Sequence, residues 1–144
     1  MRCSIQFEKQ ALQQGHQHIA GVDEVGRGAL FGPVVAAAVV LNPDDRIRGL
    51  NDSKQLEPEE RERLAGHIRQ RARGWAVAAC DAAVIDSINI YQASRVAMLA
   101  AVRALAPAPD LLLVDAVTID WPGPQRAIIH GDALSISIAA ASIL

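Results

Sequence analysis

A chain of 144 residues is enough for one domain, burying roughly two-thirds of its unfolded surface. Its formal net charge of −2 excludes bulk attraction to nucleic acid, so any polyanion contact has to come from a local patch. Half of the residues are hydrophobic (51%) but only 3% are aromatic, so the core has to be built from Ala, Val, Ile and Leu. Cys3 and Cys80 are isolated thiols without metal-ligand spacing, which suits a reducing compartment better than a disulfide scaffold. Met1 to Gln14 lacks an apolar signal core, and apolar runs such as Val34 to Leu41 are too short to cross a bilayer. The expectation is a soluble, cytoplasmic protein.

In chain order, Ser4 to Gln14 has weak helical spacing through Ile5, Ala11 and Leu12. His18 to Val25 reads as a strand, Gly26 to Gly32 as a turn, and Pro33 to Leu41 as a second, almost wholly apolar strand. Asn42 to Ser53 is loop. A helix is predicted from Pro58 to Gly74, with Pro58 in the first turn. Trp75 to Ala79 is a third strand, and Tyr91 to Leu105 a helix with Val96, Leu99 and Val102 on one face. Leu111 to Asp115 and Arg126 to His130 are further strands, separated by the loop Trp121-Pro-Gly-Pro, and Ala133 onward is helical. No repeat or linker interrupts residues 1–144, which read as a single domain. Early strands followed by strands alternating with helices predict an α/β fold, a mixed central sheet flanked by helices on both sides.

The chemistry gathers at strand ends. Ile19-Ala-Gly-Val delivers the adjacent carboxylates Asp23 and Glu24, and Leu111-Leu-Leu-Val delivers Asp115. Carboxylates at the end of an apolar strand are costly together unless a cation neutralises them. Sites in open α/β sheets form beyond the carboxyl ends of strands. Asp132 follows Ile128-Ile-His-Gly and suits either a helix N-cap or a further ligand. Oxygen ligands of this kind favour Mg²⁺ or Mn²⁺. Zinc is disfavoured, since the His16-x-His18 pair has no partners at ligand spacing. Alternation along a strand sends Asp23 and Glu24 to opposite faces, so they share a metal only where the strand ends.

Gly26, Arg27 and Gly28 leave room for backbone N–H groups and a guanidinium to approach a sugar-phosphate. Gly26 to Gly32 is not a dinucleotide fingerprint, because Pro33 and a strand follow where a helix is needed. Ser53 and Lys54, ahead of a helix, make either a phosphate grip or a solvated capping turn. Arg61, Arg63, Arg69, Arg71 and Arg73 give the following helix a basic side that is either merely solvated or a polyanion patch.

Gly21-Val-Asp-Glu-Val-Gly-Arg-Gly28, Gly32-Pro-Val-Val-Ala-Ala-Ala-Val39, Leu50-Asn-Asp-Ser-Lys-Gln-Leu56, Leu113-Val-Asp-Ala116 and Gly131-Asp-Ala-Leu-Ser-Ile-Ser-Ile-Ala-Ala-Ala-Ser-Ile-Leu144 resemble the ribonuclease HII family, the bacterial type 2 ribonucleases H. The resemblance spans nearly the whole chain, in family order. It implies a ribonuclease H-like fold and an endoribonuclease that hydrolyses the RNA strand of RNA–DNA hybrids. Such an enzyme also incises 5′ to ribonucleotides embedded in duplex DNA, leaving 3′-hydroxyl and 5′-phosphate ends, as ribonucleotide excision repair and replication require. It further implies two-metal catalysis with Mn²⁺ or Mg²⁺ on Asp23, Glu24, Asp115 and Asp132. Gly26, Arg27 and Gly28 would read the ribose 2′-hydroxyl, and Ser53 and Lys54 would contact phosphate. His130 stands where the family usually carries Lys, beside the substrate. The expected partners are the hybrid or duplex alone, bound by a monomer.

The family continues beyond this helix as A-K-V, with an Arg-Asp and a helical region carrying a tyrosine that stacks on deoxyribose. The expectation is therefore a fold whose C-terminal helical part is missing, with lowered stability and activity. The alternative is a non-catalytic RNA–DNA hybrid-binding fragment. A phosphatase-like phosphoryl-transfer enzyme is disfavoured, since no Asp-x-Asp nucleophile or Walker glycine loop is present.

Overall fold

A computed structural model describes residues 3–26, 33–51, 53–81 and 89–144. Its five strands are β1 (Ile19–Gly26), β2 (Val34–Val40), β3 (Gly74–Cys80), β4 (Leu111–Asp115) and β5 (Gln125–Ile128). Among the described residues the helices are α1 (Gln6–Gln13), α2 (Pro58–Arg71), α3 (Ile90–Arg103), α4 (Gly131–Leu134) and α5 (Ile136–Ile143), with a 3₁₀ turn at Ser53–Gln55. None of them is long and apolar enough to cross a membrane.

The sheet order is β3-β2-β1-β4-β5. β1, β2 and β3 form an antiparallel meander, while β4 runs parallel to β1 and β5 parallel to β4. This is the expected mixed α/β sheet. The most apolar strands, β1, β2 and β4, sit in the middle because both of their faces are covered.

Strand alternation sorts the core into two layers. Ala20, Val22, Ala36, Ala38, Leu112 and Val114 pack under α3. Ala37 and Val39 meet Leu64 and Ile68 of α2 and Ala140 of α5, while Ile19 and Leu113 meet Ala11 of α1 and Ile138 of α5. α5 lies so close to β1 that a Cβ on Gly21 would strike the backbone of Ser137 and Ile138. Only glycine fits there.

Several local expectations shift. α1 buries Glu8 and Ala11, whereas Ile5 and Leu12 stay 36% and 41% exposed. The helix is turned this way because Glu8 finds hydrogen-bond donors in Ser135 and Ser137. α3 seats Ala93, Ala97, Ala101 and Val102 on the sheet and leaves Val96 exposed, since small residues permit the closer approach. β5 ends at Ile128 rather than His130, and the final helical run breaks at Ser135. Most of the basic residues of α2 are engaged within the fold: Arg63 pairs with Glu60, Arg71 with Asp45, and Arg69 lies over the Trp75 ring. Just beyond the helix, Arg73 donates to the Gln17 carbonyl. These bonds make that face mainly structural rather than a free polyanion patch.

Candidate metal centre

The parallel register of β1 and β4 sets Val22 opposite Val114. The next residues, Asp23 and Asp115, therefore emerge side by side on the face covered by α5, Asp115 at the end of β4 and Asp23 three residues before the end of β1. The chain then returns through β5 to His130, which takes a left-handed conformation (φ 56°) and turns it into α4. The Gly131 N–H donates to Asp115 Oδ1 at 2.8 Å. A Cβ on Gly131 would come within 2.5 Å of the Ile138 side-chain tip and 3.3 Å of that same carboxylate oxygen, so any larger residue would have to displace Ile138. Asp132 is the second residue of α4, whose N-cap is His130, so the capping reading does not hold for it.

Asp23, Asp115 and Asp132 each place a carboxylate oxygen within 4.8 Å of the others. Asp23 is only 5% exposed. Burial first, then the charge of Asp115, push its carboxyl up to about 9, with Asp132 and a hydrogen bond to Asp115 adding to the rise. The Glu24 N–H, which donates to Asp23 Oδ1 at 2.8 Å, opposes it. Three acids this close cannot all ionise without a compensating positive charge. An all-oxygen donor set fits a hard divalent cation such as Mg²⁺ or Mn²⁺.

Glu24 points to the opposite face, as strand alternation requires, and its Oε1 accepts a hydrogen bond from the Ser94 hydroxyl of α3. It lies at an irregularity where the β1–β2 register shifts between Glu24 and Gly26. Sequence reasoning missed Ser94. Its only signal is a hydroxyl on the buried Ala93–Ala97 face of α3.

Gly26 closes β1, while Arg27 and Gly28 lie outside the described residues. Ser53 and Lys54 occupy the 3₁₀ turn, Ser53 half-buried and Lys54 exposed. The preceding loop reaches the metal centre through Cys3, whose Sγ lies 3.6 Å from Asn51 Oδ1 and 3.2 Å from the Asp132 carbonyl. His130 is exposed beside the acids. His16 and His18 lie instead by Asp110, which accepts from the Gln17 and His18 N–H groups and sits 3.6 Å from His16 Nδ1.

Comparison with known proteins matches this arrangement. The family model described as Ribonuclease HII matches residues 20–144. The ribonuclease HII of Solibacter usitatus is 62% identical over 99% of this chain and 63% of its own length. That of Koribacter versatilis is 57% identical over the whole chain and 57% of its own length. The chain thus spans about three-fifths of the length of these relatives. Among solved structures, ribonuclease H2 of Pyrococcus horikoshii superposes with a TM-score of 0.75 at 27% identity, over 88% of this chain and 69% of that one. Bst-RNase HIII in complex with Mn²⁺ gives 0.67 at 27% identity, over 92% of this chain and 52% of that one.

Proposed function

Since the chain belongs to the ribonuclease HII family, we propose that it hydrolyses the RNA strand of RNA–DNA hybrids and nicks duplex DNA 5′ to an embedded ribonucleotide. The observation that carries this reading is the convergence of Asp23 of β1, Asp115 of β4 and Asp132 of α4 within 4.8 Å. Asp23, Asp115 and Asp132 would hold Mn²⁺ or Mg²⁺, and Glu24 would join them from the other side of β1. A pair of such ions, when bound, supplies an activated water and neutralises charge on the phosphate and the departing 3′ oxygen.

The protein's own groups do the remaining work. The Gly131 N–H fixes one oxygen of Asp115, leaving the other to ligate. Ser94 holds Glu24. No side chain is needed as a nucleophile. Gly26 closes β1, and backbone amides of Gly26, Arg27 and Gly28 would meet the ribose and detect the 2′-hydroxyl that separates RNA from DNA. Ser53 and Lys54, on the turn packed against α5, would hold a neighbouring phosphate. His130 would face the same nucleic-acid strand.

The test is cleavage of a DNA duplex carrying one ribonucleotide, in Mg²⁺ and in Mn²⁺, beside Asp23→Asn. The expected result is a single nick 5′ to the ribonucleotide, with 3′-hydroxyl and 5′-phosphate ends, absent in Asp23→Asn. Hybrid affinity without any nick in either metal would replace this reading with that of a binding fragment.

A further inference from the structure

α4 has four residues and carries Asp132. A helix that short cannot hold itself in place, and its N-cap residue His130 makes no side-chain capping bond. Besides the Gly131–Asp115 contact, bonds from the N-terminal segment reach it. The Ser4 N–H donates to the Leu134 carbonyl at 3.0 Å, and the Ile136 N–H donates to the Ser4 carbonyl at 3.3 Å. The Cys3 thiol lies 3.2 Å from the carbonyl of Asp132 itself.

The break between α4 and α5 is held from the same segment. Ser135 is fully buried at this elbow. Its hydroxyl donates to Glu8 Oε2 at 2.6 Å while accepting from the Ile138 N–H at 3.3 Å. The same Glu8 oxygen accepts from the Ser137 N–H at 3.1 Å. A carboxylate at this point also complements the positive end of α5. Glu8 is 8% exposed, and its other oxygen is buried without a hydrogen-bond partner among the described residues. A buried acid half unsatisfied in this way is an expensive means of merely attaching a helix.

We propose that Glu8 and Cys3 are positioning residues for the metal ligand Asp132. Glu8 sets the bend at Ser135, Cys3 sets the backbone at Asp132, and together they fix the distance from Asp132 to Asp23 and Asp115. The assignment rests on the metal centre proposed above.

Mn²⁺ binding to the metal-free chain, followed by the electron paramagnetic resonance of the free ion, tests it well below the melting temperature. Glu8→Ala and Cys3→Ala should each weaken Mn²⁺ binding about 10-fold. Glu8→Gln and Cys3→Ser, which keep an acceptor and a donor respectively, should recover most of that loss. A purely structural role would lower the melting temperature and leave Mn²⁺ affinity unchanged, and that result would overturn the proposal. Should Glu8→Ala not fold, the Cys3→Ala and Cys3→Ser pair decides by the same criterion. Amide exchange at Ser137 and Ile138 needs no metal: faster exchange in Glu8→Ala is expected, and unchanged exchange would refute the Glu8 tie alone. A wild-type chain that binds no Mn²⁺ would refute the metal centre, and the assignment with it.

Discussion

Asp23 is where the metal-free protein stores its electrostatic cost. Its carboxyl titrates near 9 in the fold against an ordinary value of 3.8. Between those limits the folded chain holds a proton that the unfolded chain has released. Stability is therefore greatest below about pH 4 as far as this group is concerned, and falls as pH rises toward 9. The steepest slope one carboxyl can impose is about 1.4 kcal/mol per pH unit. Melting curves in EDTA should show this decline, and Asp23→Asn should flatten it and raise the melting temperature at pH 8. Mn²⁺ should reverse the trend in the wild type, since it binds the ionised form. A pH-independent melting temperature in EDTA would mean that Asp23 ionises freely. Glu24 makes a second prediction at this scale. Ser94→Ala removes a hydroxyl without changing the packing volume much, so melting should hardly move while the nicking rate falls about 10-fold. An unchanged rate would show that other contacts suffice to hold Glu24. The three aspartates and Glu24 were legible as strand-end and motif acids. Ser94, Glu8 and Cys3 were not, because a single polar residue in a helix or a terminal segment carries no periodic signal and acquires its role only from a partner distant in sequence.

Among the elements, α5 is the one on which the site depends, and its contact with β1 runs through one missing side chain. Gly21→Ala would push a methyl into the backbone of Ser137 and Ile138. Backbone cannot swing aside as a side-chain tip can, so the cost should reach about 3 kcal/mol, the upper end for overpacking. Urea melts would measure it, and a loss below about 1 kcal/mol would mean that α5 slides along the sheet without penalty. The strands β1, β2 and β4 could be read from their apolar runs and their carboxylate or loop boundaries. The break at Ser135 could not. The run from Ala133 to Leu144 contains no glycine or proline, and the helix turns because Ser135 caps α5 and Glu8 reaches it from the opposite end of the chain. His130 likewise adopts a left-handed turn that sequence rules assign first to Gly or Asn.

For the whole molecule, the mixed sheet divides into a meander of neighbouring strands, β1 to β3, and a parallel pair, β4 and β5, reached only after α3. Pairing β1 with β2 closes a short loop, and β3 joins β2 through α2. The pairing of β1 with β4 and the docking of α4 and α5 close the longest ones, so they carry the larger entropic cost and should come late in folding. The three clustered aspartates belong to β1, β4 and α4. A divalent ion therefore has no complete set of partners until the last segments have docked, and cannot serve as a template around which the chain collects. Its influence belongs on the way out: bound Mn²⁺ should slow unfolding in proportion to its occupancy and leave the refolding rate nearly as it is in EDTA. Stopped-flow refolding that accelerated with Mn²⁺ would mean that the acids meet before the sheet is complete. If it does not, the ion acts as a latch closed after assembly, and the lifetime of the folded chain, rather than its rate of formation, becomes the quantity that the cell's supply of divalent metal controls.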